Sequence, residues 1–578
     1  MNVREDIQNL ITEAVKNLQK KGAFSVSELP GFEMERPEES SFGDYSVNAA
    51  MKFSKALGDS PKNIAEKIKK ELLETSEDSI FLKVEVAGPG FLNVFLKDEV
   101  FLENLRNILK EGDEYGSNET LKGEKIMVEY TDPNPFKVFH IGHLMSNAIG
   151  ESISRILEFS GAKVKRACYQ GDVGMHVAMA VFGILNQEKH PDKKDSLEEK
   201  VKFLGSSYAL GAKAYKESEE AQRGIKNINK AIFEKENEDV MDIYNIGRKW
   251  SLDYFETIYK KLGTKFDYYF FESETGNFGK KVVEKNIKNE IFAESENAVV
   301  FLGDKHGLHI RVFINSEGLP TYEAKELGLA KVKYDKYKYD KSVVITGNEV
   351  NEYFKVILAA MKLVFPELAE KTEHISHGML RLPTGKMSSR TGDVFSAEEL
   401  LQQASERIAS KIKEEDSFSE EEKEELIEKV AISAIKYSIL KQKTGKDIIF
   451  DLDKSISFEG GSGPYLQYTF ARATSVLKKA KKEKIKASLD GAADKPEDLE
   501  RILQKFPETI MLSSFGREPH HIVTYLLTLA QAFNSYYAKN QIVSGSEKDS
   551  YRVALTEATT VVLKNGLNLL GISSPEKM

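Results

Sequence analysis

A single cysteine, Cys168, stands among 578 residues. That excludes an internal disulfide framework and any metal site built from several thiolates, and leaves the residue to be read as a small buried hydrophobe. Long apolar runs are also missing: none reaches the roughly 18 residues that a membrane-spanning helix needs. The opening MNVREDIQNLITEAVKNLQKK has helical periodicity with acids spread through it. It lacks the apolar core and small-residue cleavage site of a signal peptide, so the expected compartment is the cytoplasm. No period of 20 to 50 residues recurs and no segment is of low complexity, which excludes repeat architectures. An excess of positive charge is absent as well. The net charge is −9, so a nucleic-acid partner would be held by local patches and not by the global field. Two such patches exist, at 331–341 (KVKYDKYKYDK) and 478–486 (KKAKKEKIK), and each also reads as a solvated helix face.

What is present fits soluble, folded domains: 41% hydrophobic and 30% charged residues. At roughly 150 residues per domain the length suggests three or four. Residues 1–118 read as a small α+β domain, with helices over 3–21 and 61–74. Short strands at 81–86 and 91–95 flank the turn Ala87-Gly88-Pro89-Gly90. Residues 119–395 alternate strand, helix, strand, helix, starting with a β-type run at Lys125–Tyr130. That rhythm predicts a Rossmann-like parallel sheet with crossover helices, carrying a charged helical insertion at about 185–265. Further strand-like runs fall at 298–302, 307–314 and 342–346. Residues 396–578 are almost wholly helical, apart from a loop at 486–497. The fold class expected is α/β, with the α+β domain before the sheet and an all-α domain after it.

The most informative segment is Asp132-Pro133-Asn134-Pro135-Phe136-Lys137-Val138-Phe139-His140-Ile141-Gly142-His143-Leu144. It follows a predicted strand and opens a predicted helix. A helix N-terminus offers unpaired N–H groups and a positive dipole end to phosphates. Gly142 has no side chain to keep a flat base away from the backbone. His140 and His143 can both reach phosphate oxygens as charge builds there. In open parallel sheets ligands sit at the carboxyl ends of the strands, where this loop lies. Alone, a His-x-x-His also reads as core or metal-binding histidines, although no acidic or cysteine ligand stands at a compatible local spacing. No metal ligand set is assigned. The second segment, Leu382–Gly392, carries Lys386 and Arg390 with several hydroxyls between glycines, 243 residues after His143. Such a loop can close over a triphosphate and neutralise a leaving pyrophosphate, and by itself it reads equally as a mobile basic surface loop.

Together the two segments resemble the signatures of class I aminoacyl-tRNA synthetases, His-Ile-Gly-His and Lys-Met-Ser-Lys-Ser. The first is matched in full at 140–143. The second reads Lys-Met-Ser-Ser-Arg at 386–390 and departs at its fourth position. Further stretches look like the arginyl-tRNA synthetases: Phe42–Ala50 and Ala87–Phe95 in the N-terminal domain, then Gly460–Arg472, Tyr525–Tyr537 and Leu567–Met578 in the helical region. The resemblance implies activation of L-arginine with ATP, with Mg2+ bridging phosphates, followed by transfer to the terminal adenosine of tRNA(Arg). It also implies a monomer whose N-terminal domain meets the tRNA elbow, whose helical domain reads the anticodon, and whose activation step waits for tRNA.

Site residues follow by matching positions. His140, His143 and Lys386 are the catalytic candidates. Lys137, His140, Gly142, His143, Lys386, Met387, Ser388 and Ser389 are the ATP-binding ones. Arginine carries a planar guanidinium with five donors, so its pocket needs carboxylates and planar acceptors. Glu129, Tyr322 and Glu326 match the family's guanidinium residues, with glutamate at 326 where the family has aspartate. Asn134 matches the residue that orients the α-amino end. His176 stands where the family has glutamine. Three alternatives stay open: a class I synthetase for another amino acid, a non-catalytic tRNA-binding paralogue, and a small-molecule adenylate-forming ligase.

Overall fold

The computed structural model describes residues 3–26, 28–37, 39–75, 80–381, 396–411, 418–490 and 496–578. The chain divides into two compact units. One gathers Met1–Gly116 with Arg472–Thr509 and Thr528–Asn565. The other holds Ser117–Ala471, Ile510–Leu527 and Gly566–Met578.

The second unit is organised by a five-stranded sheet. Its strands are β1 (Lys125–Glu129), β2 (Lys163–Gln170), β3 (Tyr268–Phe271), β4 (Lys341–Gly347) and β5 (Thr372–His377), in the order β5-β4-β1-β2-β3, every neighbour parallel. β1 lies at the centre and is buried along all but its first residue, as a doubly covered parallel strand must be. The chain runs outward through β2 and β3, then returns to the other side of β1 for β4 and β5. That reversal puts a crevice at the carboxyl ends of β1 and β4. Helix α1 (Ile141–Phe159) follows β1 and is buried on nearly every face. Two close approaches seat it. Ser146 Oγ donates to the Ile345 carbonyl at 3.0 Å. Gly150 sits so near Tyr130 that a Cβ there would fall 2.2 Å from the ring.

After β2 comes α2 (Met175–Leu185), then the insertion as three helices, Leu197–Glu217, Glu219–Glu234 and Glu238–Leu262. Each begins with a side-chain cap, from Ser196, Ser218 and Asn237. Helix α3 (Glu272–Ile287) follows β3. Beyond it, a small antiparallel sheet is built from 292–295, 298–301 and 311–314. The run expected at 307–314 is strand only from Arg311, because a 3₁₀ turn at Gly303–His306 ends on Gly307 at φ +70°. Helix α4 (Tyr322–Lys336) precedes β4, and α5 (Asn351–Val364) precedes β5. Among the described residues no helix is long and apolar enough to cross a membrane.

The first unit pairs the N-terminal segment with helical pieces from far down the chain. Its antiparallel sheet has the order Met34–Glu35, Tyr45–Val47, Phe91–Leu96, Phe81–Ala87. Helices Val3–Lys20, Ala49–Leu57 and Pro61–Thr75 share one apolar core with it. Arg36 reaches Glu508 at 2.8 Å and Gln504 at 2.8 Å, and Arg501 pairs with Asp44. Tyr115 stacks on Phe506 with ring centroids 6.1 Å apart.

The insertion docks on α2 through a backbone-to-backbone crossing. A Cβ on Gly183 would lie 1.9 Å from the Ser207 carbonyl oxygen, and one on Gly211 would lie 1.9 Å from that of Met179. Neither oxygen can swing away as a side chain could. Gly211→Ala is expected to destabilise the chain by about 1–3 kcal/mol, the usual cost of overpacking a close contact. A lowered denaturant midpoint would register it; an unmoved midpoint would contradict the crossing.

Candidate active site

Three non-glycine residues with positive φ follow β1 in quick succession: Thr131 at +82°, Asp132 at +44° and Phe136 at +66°. Each such conformation costs on the order of 1–3 kcal/mol and persists only when surroundings over-determine it. Here they do. The Thr131 N–H donates to Ser146 Oγ at 3.0 Å, and Asn147 Nδ2 donates to Thr131 Oγ1 at 3.0 Å. Asp132 Oδ1 accepts the Tyr169 N–H at 2.7 Å. The Phe136 N–H donates to Ser251 Oγ at 2.9 Å, while its ring stacks on Tyr244 with centroids 6.2 Å apart. The loop is thus held by α1, β2 and the insertion together.

The loop delivers His140 as the N-cap of α1 in extended conformation. The His140 N–H donates to His143 Nδ1 at 3.2 Å, and the two rings stack 3.6 Å apart at 18°. A Cβ on Gly142 would meet the His140 ring at 2.9 Å, so glycine is what allows the ring to fold over the helix start. With Nδ1 accepting, the His143 proton sits on Nε2. Burial, reinforced by Lys137, brings His140 down to about 4 and holds His143 far below the usual imidazole range. Both imidazoles are therefore neutral donors.

Lys137 acts electrostatically on His140, His143 and His176, and His176 and Asn134 meet at Gly171. His176 Nε2 donates to the Gly171 carbonyl at 2.9 Å, and burial brings its imidazole down to about 3. Asn134 Oδ1 fills the space over Gly171, where a Cβ would come within 2.2 Å of it, and Glu272 lies beside the same spot. Burial lowers the Lys137 ammonium, partly offset by Glu272. Asp172 is a clamp: it accepts from Arg248 at 2.8 Å, Tyr244 at 3.2 Å, the Ser273 N–H at 2.9 Å and Ser273 Oγ at 2.7 Å.

A second group lies at the end of β1. Glu129 pairs with Lys333 at 2.7 Å, each side chain only 3% exposed. Glu326 is buried beside them with no ion pair among the described residues. Burial, then the field of Glu129, pushes its carboxyl up to about 8. Asp132 is raised well above the usual carboxylate range by burial and then by Glu129. Glu272, paired with Lys325 at 2.5 Å, acts electrostatically on both groups. Tyr322 opens α4 as an exposed residue, with the Lys325 ammonium over its ring at 4.9 Å. Lys386, Met387, Ser388 and Ser389 lie outside the described residues. The residue that resumes the chain, Ser396, forms a bridge pair with His140, and the Ala397 N–H donates to the Phe139 carbonyl at 3.0 Å.

The description "tRNA synthetases class I (R), catalytic domain" matches residues 104–452, more than half of the chain. The chain belongs to the class I arginyl-tRNA synthetases. "Arginyl tRNA synthetase N terminal domain" matches 5–96 and "DALR anticodon binding domain" matches 466–578. An arginine–tRNA ligase of Treponema denticola is 32% identical over 562 residues, 94% of each chain. One of Clostridium kluyveri is 31% identical over 584 residues, covering 99% of this chain and all of the other. The arginyl-tRNA synthetase of Thermus thermophilus shares the fold over the whole of both chains, with a TM-score of 0.79 at 24% identity.

Sequence reasoning missed several groups that shape this synthetase's cleft: Asp132, Glu272, Lys325 and Lys333. Lys333 falls in the basic run 331–341, which reads as a local patch or a solvated helix face; at this position the structure differs from both, since Lys333 is buried against Glu129. The available signal was its helical register. Lys333 stands seven residues after Glu326, two turns along the same face of α4. Removing one partner of a buried ion pair leaves a charge unpaired. Lys333→Met is therefore expected to cost about 3–5 kcal/mol, and much less in combination with Glu129→Gln. A double-mutant cycle in denaturant checks this; additive losses would contradict the pairing.

Proposed function

We propose that this chain activates L-arginine with ATP and transfers it to the terminal adenosine of tRNA, and that the cleft at the carboxyl ends of β1 and β4 is where both steps occur. The arginine carboxylate attacks the α-phosphate, the bond to the β-phosphate oxygen breaks, and pyrophosphate leaves. A ribose hydroxyl of the tRNA end then attacks the acyl carbonyl and AMP departs. Neither step needs covalent help from the protein. Both need alignment and donors aimed at developing charge.

In this reading His143 offers its Nε2–H to the phosphates, and His140 and Lys137 lie beside it. Gly142 leaves room for the base. Lys386, with Met387, Ser388 and Ser389, meets the leaving pyrophosphate. Asn134 and His176 hold the α-amino end of the amino acid, and Glu129, Glu326 and Tyr322 hold the guanidinium. Magnesium would ride on the triphosphate. Among the described residues the one group of three His, Cys, Asp or Glu ligands close enough to share an ion is Glu518, His520 and His521, away from this loop. The proposal carries with it a cytoplasmic, monomeric chain.

One observation supports the choice of amino acid above the others: Glu326 is buried without an ion pair among the described residues, in the field of Glu129, with one lysine, Lys333, beside the acids Glu129, Asp132 and Glu326. Such a pocket gains most from a permanent cation that brings several donors. Charging of total tRNA with each of twenty labelled amino acids tests the reading. Arginine alone should be attached; another product would indicate a different synthetase, and none would indicate a non-catalytic chain.

The same carboxyl predicts a pH dependence. Below pH 8 Glu326 must release a proton before it pairs with guanidinium, so arginine binding and proton release are linked. The arginine KM should fall as pH rises from 6 toward 8, by up to about tenfold per unit, and level off above. Glu326→Gln should raise the KM and flatten its profile, with little change in the KM for ATP. A wild-type KM indifferent to pH over that range would remove Glu326 from the pocket.

A further inference from the structure

The connection Arg517–Pro519, ahead of the helix that starts at His520, brings three metal-ligating side chains together outside the site described above. One ligand atom from each of Glu518, His520 and His521 lies within 4.8 Å of the others. Glu518 Oε2 is 3.1 Å from His521 Nε2 and 3.9 Å from His520 Nδ1, with the two rings 4.0 Å apart at 35°. A tetrahedral zinc site with bonds of about 2.0–2.1 Å spaces its ligand atoms about 3.3 Å apart. These two separations bracket that spacing and the third lies within 4.8 Å, so an ion could be taken up by side-chain adjustment.

Two further features bear on the site. His520 Nδ1 is buried and has no hydrogen-bond partner, which is costly for an imidazole nitrogen unless something else fills its lone pair. Glu518 Oε1 takes the Lys443 ammonium at 3.1 Å, which leaves Oε2 as the oxygen facing the two rings and sets a competing positive charge close to the ion's place. Imidazole, imidazole and carboxylate form a nitrogen-rich donor set that suits zinc and its neighbours over magnesium or calcium.

We infer that Glu518, His520 and His521 form a binding site for one divalent transition ion of the zinc type, its fourth position left to water. The site has a structural consequence. Pro519, Lys443–Lys446, His377 and Gly378 line one small cavity, so the turn that would hold the ion lies against the loop leading into Ile448–Ile449. That strand pairs with Leu380–Arg381, the last described residues before the segment carrying Lys386.

The test uses the full chain, stripped with a chelator and titrated with Zn2+ by calorimetry and with Co2+ by visible absorption. One equivalent should bind, with the intense d–d bands of a four-coordinate cobalt site. His520→Ala and His521→Gln should each weaken binding by on the order of 100-fold or more. Lys443→Met should tighten it, since the change removes a like charge and frees the second carboxylate oxygen; misfolding cannot produce that gain. Absence of stoichiometric binding would overturn the site. So would binding indifferent to both histidine variants, which would place the ion on other histidines, or binding that Lys443→Met leaves unchanged or weakens.

Discussion

Everything in the cleft depends on how negative charge is buried at the end of β1. Glu129, Asp132 and Glu326 share a dry space with one ammonium, that of Lys333. A lone buried carboxylate would simply take up a proton, and two unscreened ones would repel strongly in a medium of low effective dielectric. Glu129 and Lys333 form an ion pair, while burial and the field of Glu129 favour the protonated forms of Glu326 and Asp132. A further cation entering this space would shift both toward their ionised forms.

One helix supplies most of this arrangement. Lys325, Glu326 and Lys333 are all on α4, so its placement sets both ion pairs at once. Glycines allow that placement. A Cβ on Gly279 of α3 would fall 1.8 Å from the Ala324 carbonyl oxygen, and one on Gly328 of α4 would fall 2.3 Å from that of Thr275. The two helices therefore touch backbone to backbone, and Lys325 reaches Glu272 at the first position of α3 without spanning a gap. Glu272 in turn lowers the cost of keeping Lys137 charged near the histidines. The two halves of the cleft are thus coupled through a carboxylate that belongs to neither motif.

The legible part of this design was the part encoded by local pattern. β1, α1, β2 and the start of α2 followed from strand–helix alternation, and the insertion from its charged helical periodicity. β3 and β5 did not emerge. Tyr268–Phe271 is four residues long, and Thr372–His377 (THR-GLU-HIS-ILE-SER-HIS in sequence) lacks apolar alternation because it is an edge strand with intermediate burial. The association of residues 472–509 and 528–565 with the N-terminal sheet rests on contacts such as Arg36 with Glu508, 472 residues apart, and no periodicity announces these. The histidine motif was visible as letters. What letters could not give was the neutral state of both rings, which comes from burial, or the loop strain, which comes from Ser146, Ser251 and Tyr169 acting at a distance in sequence.

That neutrality bears on how charge is compensated during the proposed reaction. A pair of permanently cationic imidazoles would hold the triphosphate tightly before reaction, and interactions equal in ground and transition states do not speed the chemical step. Neutral N–H donors, already oriented by the His140 N–H and by ring stacking, bind the resting phosphates moderately and strengthen as negative charge gathers on the leaving oxygens.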